Sequence, residues 1–376
     1  MGNLGTGAGA RQQASERVVC SSSMSHIPHT LPARPAEAHA IEVAATLAGT
    51  RIVCTSIGRG QAAHALAASR PDAKVTAWFL DLHHCHAAQA SWEPLPENLT
   101  AACTADMPPG PYDLAVVPLV KSGEAELSRD ILQQAIQNLA IGGHLVATVD
   151  NARDKWLREQ LAATGETVRV RPAAKSTDTI AYIVEKTREL VKLRDFSHQF
   201  MFRDRERLLT AITRPGVFAH RRIDPGARHL LNAVDVASNT RVLDIGCGSG
   251  CVALGLAARD PSVTVHAFDS AARAVECTRR AAAINELPNI SLALEAEGRV
   301  PERGTWDLAL ANPPYYADFA IAEKFVEAAR LSLAPGGTLL IVTKQPTWYL
   351  ENLPRMWQDV AEELVKGYHL IEAVRP

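Results

Sequence analysis

The sequence predicts an α/β protein made of two tandem, doubly wound sheets of mostly parallel strands, and three observations carry that prediction. Segments rich in Val, Ile and Leu alternate with Ala-rich segments, the order that parallel strands joined by crossover helices require. A glycine-rich turn follows an early strand in each half of the chain. One half can be laid over the other without a gap.

The elements follow from that overlay. RIVCTSIGRGQAAHALAASRPDAKVTAWF, Arg51 to Phe79, aligns with RVLDIGCGSGCVALGLAARDPSVTVHAFD, Arg241 to Asp269. Arg51 meets Arg241, Gly58 meets Gly248, Gly60 meets Gly250 and Pro71 meets Pro261. Each block reads strand, glycine turn, Ala-rich helix, proline turn, strand. Further on, YDLAVVPL (Tyr112 to Leu119) lies over WDLALANP (Trp306 to Pro313), and LAIGGHLVATV (Leu139 to Val149) over LAPGGTLLIVT (Leu333 to Thr343). The shared order of blocks identifies a duplication. The copies differ where chemistry would sit: Cys54 stands for Asp244, Ser56 for Gly246, Phe79 for Asp269, and Pro118 to Val120 for Asn312 to Pro314. The first copy is read as degenerate, a scaffold without its site. The expected organisation is a disordered tail over 1–39, a degenerate domain over 40–188, a linker over 189–213 and a catalytic domain over 214–376.

Composition bounds the function. The chain has 376 residues, 47% hydrophobic and 21% charged, with a formal net charge of −2, so no nucleic-acid partner is announced by global charge. Seven cysteines without framework spacing favour a reducing compartment. The N-terminal segment lacks the apolar core of a signal peptide and no run is long enough to cross a bilayer, so a cytoplasmic location without a membrane partner is expected. The segment from Arg214 to Arg228 has a basic excess in which Asp224 is the only acid. Its Arg221 and Arg222 are candidates for a substrate-facing edge. The spacing of Cys247 and Cys251, and the HHCH cluster of His83 to His86, do not match a zinc site. No metal is expected, and the histidines read as a polar helix start.

In the C-terminal half, VLDIGCGSG runs from strand into turn, with Gly246, Cys247, Gly248 and Gly250 bringing backbone close to a ligand. The third glycine of a dinucleotide fingerprint would fall on Cys251, so that reading fails. Asp244 suits a ligand with a cationic amino-acid tail and a sulfonium. Asp269 closes the next strand, where a carboxylate can accept both ribose hydroxyls, with Ser270 beside it. Glu297 ends the third strand within reach of an adenine amino group. The fourth strand ends in Asn312, Pro313, Pro314 and Tyr315, because proline cannot continue a ladder. The Asn312 side-chain oxygen and the Pro313 carbonyl can accept the two N–H bonds of a planar amine, turning its lone pair toward an electrophile, and the diproline stiffens the turn. Tyr315, with Tyr316, can stack on the substrate, and Lys344 and Trp348 follow the next strand beside the cleft.

Together these residues resemble the class I S-adenosylmethionine-dependent methyltransferases, whose domains are Rossmann-like. With the duplication and GVFAHRRIDPGARHLL (Gly216 to Leu231) ahead of the glycine turn, the chain resembles the duplicated-domain bacterial ribosomal RNA guanine-N2 methyltransferases. The resemblance implies S-adenosyl-L-methionine as cofactor, a ribosomal RNA or ribosomal subunit as partner, and a segment that closes over the cofactor through Phe218 and Asp224. The family commonly carries Phe then His where this chain has Tyr315 and Tyr316. The alternatives are an adenine-N6 RNA or DNA methyltransferase, a protein glutamine N5-methyltransferase, and a catalytically inactive RNA-binding module.

Overall fold

The computed structural model describes residues 32–173, 178–219, 221–314 and 319–376. The N-terminal half runs α1 (Pro35–Ala45), β1 (Arg51–Cys54), α2 (Gln61–Ser69), β2 (Lys74–Phe79), α3 (Leu82–Ser91), β3 (Leu99–Cys103), β4 (Tyr112–Leu119), α4 (Ala125–Gln137), β5 (Leu139–Val149), α5 (Trp156–Ala162), β6 (Val168–Pro172) and β7 (Ile180–Glu185). A hairpin, β8 (His198–Asp204) and β9 (Arg207–Thr213), leads into α6 (Pro225–Ala233) and β10 (Arg241–Ile245). Then come α7 (Cys251–Arg259), β11 (Thr264–Asp269), α8 (Ala272–Ile284), β12 (Ile290–Leu294) and β13 (Trp306–Ala311). The chain closes with α9 (Ala320–Ser332), β14 (Leu333–Thr343), α10 (Thr347–Asn352), β15 (Gln358–Val365) and β16 (Tyr368–Val374).

Both sheets have seven strands in the same order, β3-β2-β1-β4-β5-β7-β6 and β12-β11-β10-β13-β14-β16-β15. All neighbours run parallel except β7 and β16, which run antiparallel to both strands beside them. The order reverses between β1 and β4, and again between β10 and β13, and a sheet of this kind binds its ligand at that switch. The duplication reaches individual bonds. Arg51 N donates to Asp113 as Arg241 N donates to Asp307, at 2.9 and 2.8 Å. Asn98 Nδ2 bridges Ala67 and Ala73 carbonyls as Asn289 Nδ2 bridges those of Ala257 and Val263.

The halves meet through equivalent turns. In the alignment that sets Arg51 on Arg241, Leu80 falls on Ser270, Asp81 on Ala271 and Leu82 on Ala272. Asp81 and Ala271 form an antiparallel bridge. Leu82 N donates to Ser270 O, and Ala272 N donates to Leu80 O, both at 2.8 Å. Such reciprocity is the signature of a twofold contact, made here within one chain. Behind it lies a buried ion cluster. Arg273, 1% exposed in the first turn of α8, donates to the Ala105 and Pro215 carbonyls and pairs with Asp130 of α4 at 2.8 Å.

Two expected boundaries move. The tail over 1–39 gives way to α1, which starts at Pro35. Proline is tolerated there because the first helical N–H has no partner to lose. Ala36, Ala40, Val43 and Ala44 form its buried face. The linker over 189–213 gives way to β8 and β9, whose Phe202, Leu209, Ala211 and Ile212 enter the core shared by α6, α7 and α8. The hairpin belongs to the C-terminal half, and the connection shortens to 189–197.

Because the Arg273–Asp130 pair is buried, deleting one partner strands the other. Arg273→Ala should lower unfolding free energy by about 3–5 kcal/mol in urea denaturation. Arg280→Ala breaks the exposed pair with Glu276 and should cost under about 1 kcal/mol. Equal effects would mean that the halves are not locked through Arg273.

Candidate active site

The site forms where β10, β11 and β13 end. Along β10, Val242 faces the α6–α7 core while Leu243 and Ile245 face the α9 core. Asp244 therefore points toward α7, and its Oδ2 accepts from Ala253 N at 3.0 Å. Helix α7 has glycine as its N-cap and gains no capping oxygen from it, so Asp244 serves from a distance. Gly246, Gly248 and Gly250 all hold left-handed φ, of 73°, 54° and 75°. At Gly250 a Cβ would also fall 2.5 Å from the buried Thr278 side chain, so only glycine fits. Asp269 grips this turn: Oδ2 accepts from Gly248 N at 2.9 Å and Oδ1 from Ala271 N at 2.8 Å. Each oxygen keeps a further lone pair.

Burial pushes the Asp244 carboxyl up to about 7, against the Ala253 bond, which favours the anion. Asp269 is also raised, first by burial, although the Ala271 and Gly248 bonds oppose it. A buried carboxyl and a half-buried one beside a glycine turn form a site that a cation would stabilise. The Cys247 and Cys251 thiols are pushed up, the latter to about 12, by burial first. Among the described residues no cluster of three or more His, Cys, Asp or Glu is disposed to hold a metal ion.

The N-terminal half fills the equivalent cradle with its own side chains. Glu37 of α1 reaches in and accepts from Ala62 N at 3.1 Å, supplying the carboxylate that Cys54 cannot. The Trp92 ring lies 2.9 Å, and the Phe79 ring 3.2 Å, from where a Cβ of Gly60 would sit.

Asn312 leaves β13 half-buried, and its Nδ2 donates to Asp224 Oδ2 at 2.8 Å. The same oxygen caps α6, accepting from Gly226 N at 2.7 Å and Ala227 N at 3.2 Å. Asp224 thus fixes which end of the Asn312 amide faces it. Gly226 makes the approach possible, since a Cβ there would fall 2.7 Å from Asn312 Oδ1. Pro313 is buried and Pro314 half-buried, while Tyr315 and Tyr316 lie outside the described residues.

Other expected residues are placed differently. Phe218 is 52% exposed. Ser270 Oγ donates to Asp81 of the other half at 2.6 Å, so it serves the interface. Glu297 faces His86 and Lys324, each at 3.9 Å. The His83 to His86 cluster opens α3, capped by Asp81. Lys344 Nζ stands 4.8 Å from the Tyr368 ring centre. Trp348 stacks on Phe319.

The basic run is partly tied down, while the candidates Arg221 and Arg222 are both exposed. Arg214 is buried against Asp106, Asp130 and Glu276, and Arg221 pairs with Glu126 at 2.9 Å. Arg228 donates to the Arg203 carbonyl, while Arg222 is exposed. Asp106, Glu126 and Asp130 lie in the other half, so a local count of charges misses them. With Glu124, which accepts from Gly216 N at 2.9 Å, they hold the segment leading to Asp224.

Sequence reasoning missed Gly226, Thr278 and Phe325, whose ring lies 2.8 Å from a Cβ position at Gly246. Only Gly226 had a signal, in the Asp-Pro-Gly of a helix start.

Residues 208–371 match the family model of the methyltransferase small domain. Among curated relatives, a ribosomal RNA small subunit methyltransferase C of Pseudoalteromonas translucida is 34% identical over 137 residues, 35% of this chain and 40% of that protein. The Chromohalobacter salexigens protein of the same name is 34% identical over 152 residues, 37% of this chain and 44% of its own. The chain thus spans under half the length of these relatives. Among solved structures, the T. thermophilus 16S rRNA N2 G1207 methyltransferase in complex with AdoMet and guanosine superposes with a TM-score of 0.76 at 22% identity. That likeness covers 91% of this chain and 92% of that one, and shows that both halves share its fold.

The buried Asp244 makes stability depend on pH. With its folded pKa near 7 and an unfolded value near 4, the folded state holds a proton that the unfolded state releases. Without ligand, stability should therefore fall as pH rises from about 4 to 7, by up to about 4 kcal/mol, and level off above. Asp244→Asn keeps an acceptor for Ala253 N and should be more stable than the wild type at pH 8 but not at pH 4. A gap that stays constant across urea titrations at both pH values would mean that Asp244 is ionised in the fold.

Proposed function

We propose that this protein, whose residues 208–371 match the methyltransferase small domain, transfers a methyl group from S-adenosylmethionine to the exocyclic N2 of a guanine in ribosomal RNA. The observation that carries this reading is the Asn312 amide tethered to Asp224 at the end of β13, one strand from the glycine turn with its carboxyls Asp244 and Asp269. The names of the relatives and of the superposed structure point the same way.

The residues present fit the cofactor. Asp244 is a buried carboxyl whose anion a cationic amino-acid tail would favour, and Asp269 has lone pairs to spare for a ribose. When bound, the cofactor supplies an electrophilic methyl group on a sulfonium. The chain has to present a nitrogen whose lone pair is otherwise delocalised into the purine. Asn312 Oδ1 and the Pro313 carbonyl accept the two N–H bonds and turn the lone pair toward the methyl carbon. The nitrogen becomes acidic once alkylated, so its proton can pass to water without a strong base. Tyr315 keeps its stacking role from its place in the NPPY stretch. A ribosomal RNA partner fits a cytoplasmic location, and acids of the N-terminal half pair with Arg214 and Arg221 ahead of Asp224.

Nucleoside digests of ribosomal RNA from wild-type and deletion cells test this by mass spectrometry. Loss of N2-methylguanine is expected, whereas loss of N6-methyladenine, or a methyl label on protein glutamine, would move the function to a rival. Asn312→Ala should keep cofactor affinity and lose turnover about a hundredfold or more, and Asp269→Ala should weaken cofactor binding about tenfold or more.

Gly226→Ala probes the tether without substituting either polar residue, its Cβ falling 2.7 Å from Asn312 Oδ1 and 2.8 Å from Asp224 Oδ2. The added methyl displaces the Asn312 amide, so turnover should fall about tenfold to a hundredfold with cofactor affinity retained. Unchanged turnover would show that the amide's position is immaterial.

A further inference from the structure

Trp348 has a partner that its sequence position does not announce. Phe319 precedes α9, past the stretch that follows Asn312, and Trp348 lies in α10, past β14. Strands β13 and β14 are parallel neighbours, with Ala311 against Ile341, so both rings sit beyond adjacent strand ends on the ligand side of the sheet. Their planes are 9° apart and their centres 6.0 Å apart. Trp348 in turn stands edge-on to Tyr349 at 5.2 Å, and Tyr349 is 3% exposed, so the stack is rooted in the core. Its outer member is not covered: Phe319 is 43% exposed, with Ile321 exposed beside it. Part of its apolar surface therefore remains open to a further ring.

We propose that the outer face of Phe319 takes the next ring of this stack, the nucleobase flanking the target guanine in a single-stranded stretch of the RNA. This rests on the RNA reading above. A target base swung out of its stack leaves its neighbour without a stacking partner. An aromatic ring replaces that partner for about 1–3 kcal/mol per base and tolerates any base identity. A glutamine side chain has no ring to offer the platform. Phe319 and Trp348 are therefore positioned to read the strand beside the target, while Asn312 and Pro313 hold the target itself.

The test compares small-subunit ribosomal RNA with free guanosine, which has no flanking base. Phe319→Ala and Phe319→Leu, which keeps apolar volume but removes the ring, should both raise KM for the RNA about fivefold to a hundredfold. The KM for guanosine and the affinity for S-adenosylmethionine should change little, and Phe319→Trp should restore the RNA value. An equal rise for guanosine would place the ring in the target pocket and overturn the proposal. So would an unchanged KM for the RNA in both ring-less variants. A wild-type protein that methylates neither RNA nor guanosine would sink the functional reading and this inference together, whereas active wild type with unaffected variants would sink only this one.

Discussion

One carboxylate oxygen, Oδ2 of Asp224, receives the Gly226 and Ala227 amides and the Asn312 side chain. Through it the first turn of α6 and the end of β13 are set against each other, although far apart in sequence. Charge-assisted bonds of this kind are short and directional, so the amide cannot rotate without giving up its bond to Asp224. The segment before Asp224 is itself fixed from outside the C-terminal half, by Asp106, Glu124, Glu126 and Asp130. The geometry at Asn312 thus depends on acids from the copy that has lost its site.

That dependence explains what the duplication kept. The reciprocal bonds between Leu80–Leu82 and Ser270–Ala272 make the two halves behave as a dimer joined in one chain. The bonds of Asp113 and Asn98, which order strand starts and turns, persist in both copies. The cradle diverged. Once Cys54 replaced the strand-end acid, the open end of α2 still needed an acceptor, and Glu37 from α1 supplies it. With Trp92 and Phe79 against Gly60, the turn survives as part of a core.

The intact cradle shows the opposite balance. Asp244, buried, and Asp269, half-buried, stay near one another, an arrangement that costs stability in the absence of a counter-charge and favours a cationic ligand when one arrives. A binding site that is electrostatically unfavourable when empty gains selectivity for the charge it lacks. Apolar residues there would fold as well and recognise nothing.

The sequence by itself determined the two sheets, their duplication and which copy keeps acids at its strand ends. These follow from local quantities: the period of apolar residues, the glycines at left-handed turns and the prolines that stop β13 at Asn312. It also pointed to Asp244, Asp269 and Asn312 as candidates, because each lies at or beside a strand end and strand ends meet at the switch point. Tertiary structure alone decided how these groups are held. The bond from Asp224 to Asn312, the enclosure of Gly226, the capture of Arg214 and Arg221 by acids of the other half, and the pairing of Phe319 with Trp348 all join residues with no fixed spacing. The same holds for α1, whose start reads as a tail until Glu37 is seen closing α2. Periodicity reports which face of an element is buried. It carries no information about which distant side chain will lie against that face, because that choice is made by packing after the elements have formed.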